Sequence, residues 1–264
     1  MAPLLKNLYN REYINLLCQN IKSNYEEFKS DDFKVDIFND SWNELELKER
    51  MRHIAYTLGL YLPQDYKESI EVLKKTFSQM NSAFNLENMI FQDYVEVYGL
   101  DNFETSMNAL EHFTINSSSE FAIRQFLLKY PKETMQQMRL WSKSKNHHIR
   151  RLSSEGCRPR LPWAISLPVF KSNPSEVLKI ILNLIDDESE YVRKSVANNL
   201  NDISKDNPEK VIELTKIYIG ENKNRDSLLK HGCRTLLKNS DREVLTLFGF
   251  LKPEKIYIIK LDWL

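Results

Sequence analysis

The chain has 264 residues, 42% of them hydrophobic, and its 37 Lys and Arg balance 37 Asp and Glu. That supplies enough apolar material for the core of one large domain or two small ones, while no stretch reaches the roughly 20 apolar residues of a membrane-spanning helix. The opening MAPLLKNLYNREYINLL lacks the apolar run and small-residue cleavage site of a secretory signal, and the widely spaced Cys18, Cys157 and Cys233, with no CxxC, argue for a reducing cytoplasm and against a disulfide framework or a thiolate zinc site.

In chain order the predicted elements are helices. Over Glu44 to Leu60 the apolar Leu45, Met51, Ile54 and Leu58 follow a 3.6-residue period, with Asp40 and Ser41 ahead as caps. Residues 66–80 repeat the pattern with Ile70, Leu73 and Phe77. An amide-rich link at Asn81 to Asn88 is expected to separate an N-terminal helical bundle, 1–80, from a repeat region, 81–250. FETSMNALEHFT and SSSEFAIRQFLLKY form a first, irregular helix pair. Three clearer pairs follow, each opening on a proline with an acidic first turn. These prolines stand at 131, 174 and 208, spacings of 43 and 34 that suit two-helix solenoid repeats. Ile149-Arg150-Arg151 of one second helix aligns with Val192-Arg193-Lys194 of the next. The expected fold is all-α: a HEAT-like α-solenoid of antiparallel helix pairs with a concave basic face, its second helices bringing Arg150, Glu155, Arg193, Asn198, Asp202 and Lys230 to one inner surface. In the tail, 251–264, KIYIIKL reads as a strand, either the remnant of a C-terminal β-domain or a segment docked on the solenoid.

The zero net charge conceals a polarity. Residues 121–240 carry 22 Lys and Arg against 13 Asp and Glu, and the remainder carries 15 against 24. A basic half is what polyanion binding requires. Within it, Ile149 to Trp163 gathers Arg150, Arg151, Arg158 and Arg160 around Glu155, breaks on Pro159 and Pro162, and presents Trp163. A core has no use for five charges. There is no glycine-rich phosphate loop, HExxH or GxSxG, and the neighbours His147 and His148 point apart on a helix, so they do not clamp a metal.

Each acid also has a structural reading. Glu155 can be an ordinary i,i+4 partner on a solvated helix, yet the helix ends at Gly156 and the proline turn brings Trp163 back beside it. Asp202 holds the matching place one repeat on, and an inter-repeat hydrogen-bond ladder explains it as well as function does. Glu120 can be a helix-capping acid. Trp163 and Trp141 can both be core, as Trp141 is expected to be, and Cys157 reads as a packing residue rather than a nucleophile.

SSSEFAIRQFLLKYP, RRLSSEGCRPRLPWA, YVRKSVANNLNDISKD and WNELELKERMRHIAYTLGLYLP together resemble the AlkC branch of bacterial DNA alkylation-repair glycosylases, over about residue 4 to Phe250. That branch is similar to the AlkD glycosylases, which share a HEAT-like repeat fold. The resemblance implies a monofunctional glycosylase, without metal or cofactor, that removes cationic bases such as 3-methyladenine, 3-methylcytosine and 1-methyladenine from duplex DNA. It assigns catalysis to Glu155 and Asp202, with Glu120 near the lesion and Trp163 against the sugar or base. Arg151, Arg158, Arg160 and Arg193 would hold phosphates, with Arg150, Lys194 and Lys230 on the same surface. A monomer acting in the bacterial cytoplasm is implied. Many members carry a C-terminal immunoglobulin-like domain; this chain stops at Leu264, about one strand into it, and is expected to be a short form with its catalytic set intact. The competing expectation is a non-catalytic HEAT-repeat scaffold for nucleic acid or protein, against which the acids in a basic groove argue, since they repel phosphate.

Overall fold

The computed structural model describes residues 4–80 and 85–250. Among them sixteen α-helices follow one another, with no strand. The strand expected in the tail, and the first half of the amide-rich link, lie outside the described residues.

After a 3-10 turn at Leu5–Leu8, the N-terminal bundle consists of α1 (Arg11–Asn24), α2 (Ser30–Ile37), α3 (Leu47–Tyr61) and α4 (Tyr66–Gln79). Caps fix two of the starts: the Asn10 side chain accepts the Tyr13 N–H at 2.9 Å and Asp65 accepts that of Glu68 at 3.0 Å. The predicted capping of α3 by Asp40 and Ser41 is corrected. Glu46 and Glu49 form a reciprocal capping box, with the Glu46 N–H donating to Glu49 Oε2 at 2.8 Å. Asp40 and Ser41 belong to the preceding turn, where the Ser41 hydroxyl bonds Asn39, and Leu45 precedes the helix. Met51, Ile54 and Leu58 are buried as the period requires, and so are Ile70, Leu73 and Phe77 of α4.

α5 (Met89–Tyr98), which the periodicity did not single out, packs on α3, and α6 (Phe103–Thr114) closes over α4 and α5. The repeats follow. α7 (Ile123–Lys129) leads into the pair α8 (Pro131–Trp141) and α9 (His147–Glu155). A long connection containing α10 (Pro168–Ser172) precedes the pair α11 (Ser175–Leu184) and α12 (Glu190–Ile203). Next come α13 (Pro208–Tyr218) and α14 (Lys223–Gly232), then α15 (Arg234–Lys238) and α16 (Arg242–Leu247). Pro131 and Pro208 take the first helical position, whereas Pro174 is the cap residue of α11. The second helices lie side by side, α12 between α9 and α14, in a HEAT-like solenoid. One continuous apolar core runs from Tyr9 to Val244. No helix among the described residues is long and apolar enough to cross a membrane.

The shared apolar-basic-basic step has a structural cause. Arg150 Nη1 folds back onto the carbonyls of Ser144 and Lys145, both at 3.0 Å, and Arg193 Nη1 does the same to Asp187 and Glu188 at 2.6 and 2.8 Å. The first basic residue of each step therefore satisfies the turn before its own helix, a turn whose carbonyls have no helical partner. On this register Glu155 matches Asn198, and Asp202 lies one turn further on, which corrects the expected equivalence of Glu155 and Asp202.

Candidate active site

α9 has 9 residues where α12 has 14, and the chain leaves the repeat at its shortened end. Gly156 marks the break through close packing: a Cβ there would lie 2.7 Å from Ile123 Cγ2 and 2.9 Å from Met138 Cε. Beyond it the loop is stapled from below by Arg124, which is fully buried. Its Nε donates to the Ile165 carbonyl at 2.7 Å, and its Nη1 to those of Gly156 and Arg158 at 3.0 and 2.8 Å. Burial pulls its pKa down to about 10, so it stays charged at neutral pH. Cys157 is buried, its thiol donating to the Ser153 carbonyl at 3.1 Å, and burial pushes its pKa up to about 12. It is a packing residue. At the tip, Trp163 has φ of 62° and is 68% exposed. A bulky side chain rarely adopts that left-handed conformation, which costs about 1–3 kcal/mol and tends to mark functional segments.

Behind the tip lies a network of acids and guanidiniums. Glu155 is 5% exposed. Its Oε1 accepts from Arg158 Nη1 at 2.6 Å and lies 3.6 Å from Arg151 Nη2, and its Oε2 accepts from the Ser195 hydroxyl of α12 at 2.7 Å. Arg158 Nε donates to Asp202 Oδ2 at 2.8 Å, and Lys205 reaches the other Asp202 oxygen at 3.1 Å. Arg151 Nη1 donates to Ser118 Oγ at 2.7 Å and lies 3.2 Å from Glu120 Oε2, with its guanidinium 5.2 Å from the Tyr191 ring centre. Burial disfavours charge on both Arg151 and Arg158, but the carboxylates outweigh it, Glu120 and Glu155 at Arg151 and Glu155 and Asp202 at Arg158, so both pKa values end above the ordinary guanidinium value. Glu120 Oε2 is buried and, despite its nearness to Arg151, accepts no well-directed hydrogen bond.

Glu120, Glu155, Arg151, Arg158, Tyr191 and Trp163 line one cavity of about 330 Å³, together with Ser118, Phe121 and Leu161 and, from the N-terminal bundle, Tyr9, Leu47, Lys48 and Met51. Of the four expected catalytic residues, three therefore face a common space. Asp202 is 2% exposed and is not in the lining; it stands behind Arg158. The expected ladder belongs to its neighbours: Asn199 donates to the Ser154 carbonyl at 2.7 Å, and Asn201 accepts from Thr235 of the following segment. Glu120 caps no helix, for α7 starts at Ile123 without a side-chain cap. Trp141 is core, its indole N–H donating to Glu111 at 2.8 Å. His147 and His148, expected to point apart, instead pack on each other, ring centres 4.3 Å apart, and on Tyr191.

The expected phosphate-holding cations divide. Arg150 is buried and bidentate to Asp187 at 2.6 and 3.0 Å, and Arg158 is buried between two carboxylates. Neither presents a free cation to a backbone outside. Arg193 is half-buried against its turn. Lys194 and Lys230 are exposed, as is Arg160, although it is paired with Asp206 at 3.0 and 2.6 Å. Sequence reasoning missed Tyr191 and Ser195, although the aligned repeat offered them, since Tyr191 takes the place of His148. Tyr9 and Lys48 come from the N-terminal bundle and left no local signal.

Residues 100–236 match the model of a family described as DNA alkylation repair enzyme. Over 254 residues, 96% of this chain and 70% of the relative, it is 45% identical to the YhaZ protein of Bacillus subtilis strain 168. The chain belongs to the DNA alkylation repair enzyme family. The matched span holds Glu120, Glu155, Trp163 and Asp202, while the family member's Tyr9 and Lys48 lie outside it. Its structure is also similar to Pseudomonas fluorescens alkylpurine DNA glycosylase AlkC, solved bound to DNA containing an abasic site analog, with a TM-score of 0.86 at 37% identity, covering 94% of this chain and 69% of that one.

Proposed function

We propose that this family member is a monofunctional DNA glycosylase, hydrolysing the N-glycosidic bond of cationic N-alkylated bases in duplex DNA, with 3-methyladenine, 3-methylcytosine and 1-methyladenine as substrates. The observation that carries the reading is the pair of carboxylates, Glu155 buried and Glu120 half-buried with its Oε2 enclosed, on the wall of one cavity whose rim presents Trp163. The likeness to an alkylpurine glycosylase bound to abasic DNA supports it.

The chemistry follows from charge. An N3-alkylated purine is already positive, so the base leaves with both electrons of the C1′–N bond as a neutral molecule and needs no general acid. The barrier is the cation developing on the sugar. Three carboxylates (Glu120, Glu155, Asp202) are matched by three cations (Arg151, Arg158, Lys205), and because neither Asp202 nor Lys205 lines the cavity, it is the wall acids, Glu120 and Glu155, that face a cation developing there. At an effective dielectric of about 20, one carboxylate about 4 Å from a cation contributes about 4 kcal/mol, close to a thousandfold in rate, before its arginine partners offset part of it. Glu155 is preorganised for this, because Arg158 and Ser195 hold its two oxygens before any ligand arrives. Glu120 Oε2 accepts a proton of the water that attacks C1′. Trp163 lies against the sugar, where a cation is favoured over its ring. Asp202 acts through Arg158. The phosphates fall to Lys194, Lys230 and Arg160, with Arg193 at the edge, and Arg150 holds the repeats together.

The test is incubation of the full chain with methylated duplex DNA and chromatography of the released bases. Release of 3-methyladenine is expected. No methylated base from folded protein contradicts the reading and favours a non-catalytic scaffold.

A further inference from the structure

Trp163 is held in an unfavourable backbone conformation at the tip of a loop. Arg124 anchors that loop at Gly156, Arg158 and Ile165, leaving the tip itself to other contacts. Around the tip the backbone has two local bonds, Ala164 N–H to the Leu161 carbonyl at 3.3 Å and Leu167 N–H to the Pro159 carbonyl at 3.1 Å, and Arg160 pairs with Asp206. The hold on Trp163 itself comes from 115 residues away: Lys48 Nζ, on the first turn of α3, donates to the Trp163 carbonyl at 2.7 Å. The same ammonium lies 4.6 Å from the ring centre of Phe121, the neighbour of Glu120. Lys48 lines the cavity, and its side chain is exposed.

We propose that Lys48 is a positioning residue for Trp163. Rotation about the N–Cα bond carries a residue's Cβ and its carbonyl carbon together, so a residue that relaxes from a positive φ to an ordinary one moves both, and a bulky residue is inclined to relax that way. If Trp163 left the left-handed region, the change in φ would turn its carbonyl away from Lys48 and swing the indole off the cavity. The ammonium opposes that change with a charge-assisted hydrogen bond. The ring of Phe121 holds the ammonium in place from its other side. The N-terminal bundle thereby sets the position of a side chain on the repeat loop. The inference rests on the glycosylase reading for its catalytic consequence, but the contact itself is independent of any activity.

Two measurements test it. Lys48→Met keeps the stem and removes the charge, and because the side chain is exposed the variant is expected to melt as the wild type does. In protein labelled with 5-fluorotryptophan, the 19F line of Trp163, assigned with Trp163→Phe, is expected to shift or broaden in Lys48→Met while the other tryptophan lines stay, and to return towards its position in Lys48→Arg. An unchanged Trp163 line in Lys48→Met overturns the proposal. In single-turnover excision from methylated duplex DNA, Lys48→Met is expected to be slower by roughly tenfold to a hundredfold, the scale of a small misplacement in a site. Lys48→Met/Trp163→Ala should be no slower than Trp163→Ala alone. Additive slowing overturns the proposal. If the wild type releases no base, the glycosylase reading fails, and the 19F comparison still decides the role of Lys48.

Discussion

Arg158 Nε donates to Asp202 Oδ2 at 2.8 Å, which ties the loop after α9 to the last turn of α12. Because the same guanidinium grips Glu155 at 2.6 Å, the acid on the cavity wall and the acid behind it share one cation. The site is therefore built across two repeats, with its charge balance set in the core rather than at the surface.

Arg158→Met leaves two buried carboxylates without their shared cation. Breaking a buried pair by removing one partner costs about 3–5 kcal/mol. Urea unfolding at neutral pH is expected to show a loss of that order, and Asp202→Asn added to Arg158→Met should restore part of it. A loss below about 1 kcal/mol would mean that the network is as weak as a surface ion pair.

Ser195→Ala removes the donor to Glu155 Oε2 and nothing else of the cavity wall. A hydrogen bond to a charged group contributes about 1.5–3 kcal/mol, so excision is expected to slow about tenfold or more while the helical fold is kept. Single-turnover rates check it, and wild-type rates in the variant would show that Glu155 needs no help from α12.

Much of this was legible in the chain. The proline-led units and the two basic steps anticipated the pairs α8 and α9, α11 and α12, and α13 and α14, because amphipathic periodicity and caps are local, but not α10 or the break between α14 and α15. Glu155 and Trp163 stood out because five charges and two prolines fall within fifteen residues, whereas Glu120 was singled out through the family resemblance. What the sequence hid was which arginines are internal. Arg150 and Arg151 are adjacent and alike in sequence, yet one faces a turn and the other the cavity, a consequence of the 100° step between helical neighbours. Arg158 was hidden for another reason: its partners, Glu155 and Asp202, come from separate repeats. Lys48, Tyr9 and Arg124 act through tertiary contacts 32 or more residues away, or across the cavity from another element, and have no signature along the chain.

Gly156→Ala places a methyl 2.7 Å from Ile123 Cγ2 and 2.9 Å from Met138 Cε. Overpacking of this kind costs about 1–3 kcal/mol. A lower urea midpoint with unchanged slope is expected; equal or greater stability would show that α7 and α8 yield freely at the loop base.

Burial raises the thiol pKa of Cys157 from 9.0 to about 12, and that of Cys18 from 9.0 to about 11. A group whose folded pKa is raised stabilises fully below its unfolded value and loses that contribution as pH rises through the folded one. Stability is therefore expected to fall from about pH 9 upwards, and less steeply in Cys157→Ala. Native protein at pH 8 should resist a maleimide at Cys157 and react once unfolded. Rapid labelling of Cys157 in the folded state would contradict its burial.

Glu155→Gln keeps the size and most of the hydrogen bonding of the side chain while removing its charge. Single-turnover excision of 3-methyladenine by this variant, set beside its affinity for the same duplex, bears most directly on the proposed catalysis. A fall of roughly a hundredfold to a thousandfold with affinity retained is expected for a preorganised electrostatic group. Near-normal excision by Glu155→Gln would remove Glu155 from the chemistry and, with it, the case for this cavity as the site of bond cleavage.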